Sequence, residues 1–100
     1  MYGLIGKMTA RPGQRDDLID VLLEGVSAMP GCLSYIVAKD IADPDAVWIT
    51  EVWVDRDSHA ASLDLPTVRE AIARGRSMIA EFGPEGFETM PVGGHGLATA

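Results

Sequence analysis

Two strand-forming segments joined by a polar loop constrain the fold of this chain more than any other feature. Residues 32–39 and 47–54 each place successive side chains on alternate faces, as β-strands do. The connecting loop, residues 40–45, is rich in Asp and contains Pro, which is typical of a turn. Both faces of the two strands are mostly apolar, so neither face should simply meet water. If helices cover one face, another surface must cover the second.

Periodicity and turn signals predict the remaining elements. Apolar residues at helical spacing indicate helices, and Pro and Gly mark their ends. In chain order we predict a strand at 2–10, a helix at 16–29, strands at 32–39 and 47–54, a short helix at 55–64, a helix at 66–80 and a strand within 82–92 that pairs from Phe87 onward.

This order of elements predicts the fold class. Strand, helix, strand, strand, helix, strand is the split βαβ, or ferredoxin-like, α+β arrangement, with a four-stranded antiparallel sheet and two helices on one face. We assign residues 1–92 to a single domain and residues 93–100, which open with Gly-Gly-His-Gly, to a flexible tail. The uncovered apolar face of the sheet predicts a homodimer.

Charge and cysteine content exclude several classes of protein. The net charge is −7, and the eight Lys and Arg residues are scattered. An acidic chain without a basic stripe argues against binding nucleic acid or an anionic membrane. Cys32 is the only cysteine, so no internal disulfide is possible, which fits a reducing cytoplasm. No run reaches the ~18 apolar residues of a membrane span.

Metal and cofactor motifs are missing from the sequence. His59 and His95 are far apart and lack a second ligand at metal-binding spacing. The Gly-Gly-His-Gly segment precedes no predicted helix, so it is not a phosphate loop, and no dinucleotide fingerprint is present. We therefore expect a protein that uses neither a metal nor a cofactor.

Glu51 is the most informative polar residue of the hairpin. It alternates in phase with Ile49 and Trp53, so its carboxylate should point where apolar groups point. It must then pair with a cation or a donor, or stay protonated. A structural pair with a Lys or Arg of a neighbouring strand or of the dimer partner, and a catalytic role, are both open.

Aromatic residues of the hairpin and polar residues of the short helix are further candidates. Tyr35, Trp48 and Trp53 could line a pocket for a planar ring, or belong to the core or an interface. His59 and Ser62 are three residues apart and share a helix face. A histidine there could act as a base, or it could be a solvated surface residue. Cys32 fits a small buried residue better than a nucleophile.

The hairpin resembles the antibiotic biosynthesis monooxygenase family. The resemblance covers about residues 2–92 and rests on two segments, Pro30-Gly31-Cys32-Leu33-Ser34-Tyr35 and Glu51-Val52-Trp53. It implies a dimeric α+β barrel and the cofactor-independent oxidation of phenols, hydroquinones or anthrone-like polyketides by O₂.

The family pattern carries over only in part. Gly31, Tyr35, Glu51 and Trp53 match, but Ser62 stands where the family usually has a histidine, and Thr67 stands where it often has a second one. His59, one helical turn earlier, could reach the same space. Together with the hairpin aromatics, the match suggests a candidate site with proton-transfer residues His59, Glu51 and Ser62 and with substrate-binding residues Tyr35, Trp48, Trp53 and Met78. Met78 is included because it lies on the inward face of the predicted helix at 66–80.

Two other functions stay open. The missing histidines favour a non-catalytic dimer that binds a small hydrophobic metabolite. Haem binding and degradation, known in related dimeric barrels, would need an axial histidine, for which only His59 is placed.

Overall fold

The computed structural model describes residues 1–26, 29–82 and 86–98 of the chain. Its elements are β1 (Tyr2–Ala10), α1 (Arg15–Gly25), β2 (Cys32–Lys39), β3 (Ala46–Trp53), α2 (Arg56–Ser62), α3 (Pro66–Gly75), a short 3₁₀ turn (Arg76–Met78), β4 (Ile79–Phe82) and β5 (Phe87–Thr89). The predicted α+β ferredoxin-like fold is confirmed. No helix among the described residues is long and apolar enough to cross a membrane.

The antiparallel sheet has the strand order β2-β3-β1-β4, and β5 also pairs with β1. Strand β4 pairs with Met8–Ala10 of β1, whereas β5 pairs with Gly3–Ile5. The two short strands therefore share the fourth position of the sheet. This arrangement keeps the ferredoxin-like order while dividing the edge strand in two.

The predicted helix at 66–80 is wrong in its last turns. Helix α3 ends at Gly75, and residues 79–82 form β4 instead. The apolar spacing of Ile72, Met78 and Ile79 fits a helix, but Gly disfavours a helix interior and pairing with β1 provides the competing hydrogen bonds.

Helix α1 also ends earlier than predicted, at Gly25 rather than residue 29. Ser27 and Ala28 of the predicted last turns lie outside the described residues. Because Pro30 disfavours helical angles for the residue before it, Met29 is unsuited to continue the helix. Gly25 lets the two long helices approach closely, since an added Cβ there would lie 2.9 Å from the Ala71 Cβ.

Gly31 joins the start of β2 to the short helix. Its φ of +81° favours glycine, and an added Cβ would lie 2.7 Å from the Ser58 Cβ. The Val54 N–H donates to the Gly31 carbonyl at 2.9 Å. Asp55 caps α2 by accepting from the Ser58 N–H at 2.7 Å. These contacts fix α2, which carries His59, against the end of the hairpin.

The core lies between the sheet and the helices. Leu18, Val47 and Trp53 are its largest fully buried side chains. On the opposite sheet face, Ile36 is 56% exposed and Phe87 is 61% exposed. The single chain therefore leaves one sheet face open, as the apolar pattern predicts. The tail is not wholly free of the domain, because the Ala98 N–H donates to the Leu33 carbonyl at 2.9 Å.

Candidate active site

A cavity of about 600 Å³ lies between the sheet and the helices. Its volume suits a small organic ligand. The walls are mostly apolar, with Leu22, Val26 and Met29 contributed by α1 and the segment after it. The polar residues Tyr35, Glu51, His59 and Ser62 also line it.

The strand register brings two of these polar residues together. Tyr35 of β2 lies directly opposite Glu51 of β3. Side chains that face each other across an antiparallel pair share a sheet face, and Ile49 and Trp53 lie on this face too. The Glu51 side chain, 16% exposed, is therefore in the cavity, on the helix side of the sheet.

The Glu-x-Trp segment forms a side-chain hydrogen bond. The Trp53 indole Nε1 donates to Glu51 Oε1 at 3.1 Å, and Trp53 itself is 1% exposed. His59 Nε2 lies 3.9 Å from the same Glu51 oxygen. The open expectation of a Lys or Arg partner is not met within the described chain, where the partners of Glu51 are an indole and an imidazole.

Burial governs the proton affinity of this site. Burial raises the pKa of Glu51 above its ordinary value, while the Trp53 hydrogen bond and the nearby His59 lower it by less. A carboxylate with a raised pKa is a stronger base. Burial, followed by the charge of Glu51, also raises the pKa of the Tyr35 hydroxyl. Tyr35 thus stays neutral, and its hydroxyl makes no hydrogen bond to the rest of the described chain.

His59 reaches the cavity wall from α2. Its ring meets Trp53 edge-on, with centroids 5.5 Å apart, and lies 5.8 Å from the ring of Tyr2. Tyr2 in turn donates to Glu88 at 2.7 Å, and Arg56 lies 5.7 Å above its ring. Tyr2 was not predicted as a neighbour of His59, although its position opposite Trp53 across β1 and β3 places it on the same face.

Ser62 is buried, and its hydroxyl proton is engaged in a hydrogen bond within the helix. Its Oγ donates to the His59 carbonyl at 2.6 Å, within α2, a common bond for serine inside a helix. Its exposed fraction is 4%. The hydroxyl holds the helix at this point, so it is poorly placed to act as a proton carrier in the site.

Two of the suggested substrate-binding residues lie elsewhere. Trp48 is out of phase with Glu51 on β3, and its indole donates to Asp40 at 2.8 Å. That bond and two backbone N–H groups of the loop lower the pKa of Asp40 to about 2. Met78 lies in the 3₁₀ turn and does not line the cavity. Its suggested role rested on a helix that in fact ends before it.

Cys32 and the histidines show no metal or nucleophile arrangement. Burial raises the pKa of the Cys32 thiol, which disfavours the reactive thiolate. Within residues 1–26, 29–82 and 86–98, no group of three or more His, Cys, Asp or Glu side chains is placed to hold a metal ion.

Comparison with known proteins agrees with this architecture. The sequence model of the family described as antibiotic biosynthesis monooxygenase matches residues 1–74. The chain belongs to the antibiotic biosynthesis monooxygenase family. No curated protein sequence matches it significantly.

Solved structures extend the match to nearly the whole chain. A protein from Chloroflexus aurantiacus J-10-fl whose crystal structure bears the same family name is 65% identical, with a TM-score of 0.93 over 97% of this chain and 98% of that one. A protein of that family name from Caulobacter crescentus CB15 is 17% identical, with a TM-score of 0.82 over 92% of this chain and 90% of that one. A third, from Nitrosomonas europaea, is 16% identical, with a TM-score of 0.81 over 92% and 99%. The two distant structures show the shared fold alone, and the family name supports a general monooxygenase-like function.

Proposed function

We propose that this protein oxidises a phenolic, hydroquinone-like or polyketide-like aromatic compound with O₂ and without a cofactor. The observation that carries the proposal is the Glu51 carboxylate, held in an apolar cavity by Trp53 at 3.1 Å and flanked by His59 at 3.9 Å. The family assignment supports the same class of reaction.

Proton removal is the step that the protein would assist. An anthrone or hydroquinone becomes electron-rich once a base removes its proton, and the resulting anion can pass an electron to O₂. The two radicals then join through a carbon–oxygen bond. A base then removes the remaining hydrogen, as a proton, from the carbon that carries the peroxide, and the electron pair of that C–H bond forms the C=O bond as the O–O bond breaks. The outer oxygen takes up two protons and leaves as water, while the inner oxygen stays on the substrate. For an anthrone this sequence gives the anthraquinone and one water molecule.

Each residue of the site has a role in this scheme. Glu51 accepts the proton, and its raised pKa makes it the stronger base. The neutral Tyr35 hydroxyl donates to a substrate oxygen. His59, beside the same carboxylate oxygen, accepts the proton from Glu51 and returns it for water formation. The apolar walls exclude water that would otherwise solvate the anion.

We further propose that the protein is a homodimer joined through the open sheet face. Ile36, Thr50, Ile5 and Phe87 form one row across four strands on that face, and the exposed apolar surface of Ile36 and Phe87 is costly to leave in water. The cavity lies on the other side of the sheet, inside each chain. A cytoplasmic location remains our prediction from the single thiol.

One observation favours a second function, which is ligand binding without turnover. The hydroxyl of Ser62, at the position where the family usually has a histidine, is bonded within its own helix, so this route for proton transfer is closed. A protein that only binds would keep the cavity and lose the reaction.

Oxygen consumption separates the two functions. Metal-free protein would be mixed with dithranol, an anthrone, and with a panel of hydroquinones, and O₂ uptake would be compared with the spontaneous rate. We expect saturable acceleration for at least one compound. Tight binding of these compounds with uptake at the spontaneous rate throughout would instead establish the binding function.

A further inference from the structure

Arg76 continues the face of α3 that lines the cavity. The α3 residues along the cavity recur at helical spacing, as Val68, Ala71, Ile72, Gly75 and then Arg76. Arg76 keeps helical angles, with φ −55° and ψ −41°, and its N–H donates to the Ile72 carbonyl. Because side chains four residues apart share a helix face, Arg76 lies on the cavity side of α3.

Arg76 and Glu51 lie at opposite ends of the cavity. Glu51 is opposite Leu4 of β1, whereas Ile79, the first residue of β4 and three residues after Arg76, is opposite Ala10. Six residues of a β-strand span about 20 Å. Apolar side chains, including Ile49 and Ile72, line the cavity between these two ends.

The positive charge of Arg76 is not neutralised by the described part of the chain. Arg74, two residues earlier, pairs with Glu24, but Arg76 forms no ion pair with any described residue. Glu81 also borders the cavity. However, it is paired with Thr9 of β1, whereas its neighbour Phe82 is paired with Met8, whose side chain lines the cavity. Since strand side chains alternate, the Glu81 carboxylate points to the other face of the sheet.

We propose that Arg76 binds an acidic substituent of the substrate, so that the ligand is an aromatic carboxylate with a hydroxyl at its opposite end. The inference rests on the proposed function, because it places the hydroxyl at Tyr35 and Glu51. The guanidinium fork matches a carboxylate geometrically. A local cation also offsets the repulsion that a chain of net charge −7 exerts on an anion.

A matched pair of stable ligands tests this proposal. Danthron is a dihydroxyanthraquinone, and rhein is the same molecule with one added carboxylate. Their dissociation constants would be measured by equilibrium dialysis for the wild type, for Arg76→Gln and for Arg69→Gln. Arg69 is an exposed arginine of the same helix that lies outside the cavity-lining stripe, so it controls for net charge.

We expect the wild type and Arg69→Gln to bind rhein about three- to tenfold more tightly than danthron, as befits a partly exposed ion pair. In Arg76→Gln this preference disappears while danthron binding changes less than twofold, and rhein displaces danthron from the wild type. Equal binding of both ligands to the wild type overturns the proposal, as does a preference that survives Arg76→Gln or is lost in Arg69→Gln. In those cases the cavity still binds an aromatic ligand, and only the role of Arg76 is refuted. If neither ligand binds the wild type, the proposal fails together with the polyketide-like substrate class of the proposed function, whereas oxygen uptake with the hydroquinones tests the rest of that function.

Discussion

The Trp53 indole donates to the Glu51 carboxylate at 3.1 Å, from a position two residues further along the same strand. Both side chains lie on the cavity face of β3, and Trp53 is fully buried. The indole therefore holds one carboxylate oxygen in place, and the other oxygen is left for a ligand. The Glu-x-Trp segment is thus one structural unit, in which a buried aromatic residue orients a base.

Removing this indole should change the acidity of Glu51. In Trp53→Phe the hydrogen bond that lowers the pKa of Glu51 is lost while burial still raises it, so we expect the pKa to rise further. The lost bond and packing should also cost about 1–3 kcal/mol of unfolding free energy. Titration of the Glu51 carboxyl carbon by NMR measures the first effect and urea unfolding the second.

The matched control for that variant is Trp48→Phe. Trp48 donates to Asp40, so its loss should raise the pKa of Asp40 from about 2 and leave Glu51 unchanged. An unchanged or lowered Glu51 pKa in Trp53→Phe would contradict the assigned role of the indole.

The raised pKa of Glu51 also predicts how stability depends on pH. Above its unfolded pKa, the folded state binds more protons at Glu51 than the unfolded state does, so stability falls as pH rises from the unfolded pKa through the folded one. Glu51→Gln lacks this titration. We expect the unfolding free energy of Glu51→Gln to rise relative to that of the wild type as pH increases through this window. Below the window this relative gain should be absent.

Urea unfolding of both proteins at several pH values between 4 and 8, a range set about the ordinary carboxyl pKa, measures this difference, because the titrations of groups that do not interact with Glu51 cancel. A gain that grows toward acid pH would mean that ionisation of Glu51 stabilises the fold, contrary to our account.

Two glycines with nearly the same backbone angle separate conformational strain from crowding. Gly31 has φ +81° and Gly13 has φ +79°. A Cβ at Gly31 would lie 2.7 Å from Ser58, whereas at Gly13 it would meet nothing within 4 Å. Gly13→Ala should cost about 1 kcal/mol from strain alone, and Gly31→Ala about 2–4 kcal/mol. Equal losses in urea unfolding would show that α2 does not press against Gly31.

The dimer is tested by charging the open sheet face. We expect the wild type to sediment as a dimer at micromolar concentration and Ile36→Arg to sediment as a monomer, because an arginine there would be buried against its symmetry mate. Ile41→Arg is the control, since Ile41 is fully exposed in the loop between β2 and β3. A monomeric wild type would contradict the proposed dimer. A dimer that persists in Ile36→Arg would show that its interface lies on another surface.

Much of the fold follows from local pattern. The alternation in the hairpin and the turn at Pro30-Gly31 predict β2, β3 and the side of β3 that Glu51 shares with Trp53. Strand β4 could not be predicted, because residues 66–80 fit helical spacing and only pairing with β1 favours a strand. The end of α3 then decides where Met78 lies.

The site was less predictable than the fold, since most of its contacts join distant segments. The sequence places His59 and Ser62 on one helix face, but not the 3.9 Å approach of His59 to Glu51, which depends on how α2 docks against Gly31. The contact between Tyr2 and His59 and the position of Arg76 along the cavity depend on strand register and on the end of α3. Neither leaves a local signal in the sequence.

The most direct test of our central claim is the rate at which Glu51→Gln consumes O₂ with the compound that the wild type oxidises fastest. The amide keeps the shape of the side chain and can still accept from Trp53, but it cannot take a proton. We expect the rate above background to fall about 100-fold or more, while danthron binds within about threefold of the wild type, a change near 0.6 kcal/mol. A variant that binds danthron normally and keeps at least half of the wild-type rate would show that Glu51 is not the base.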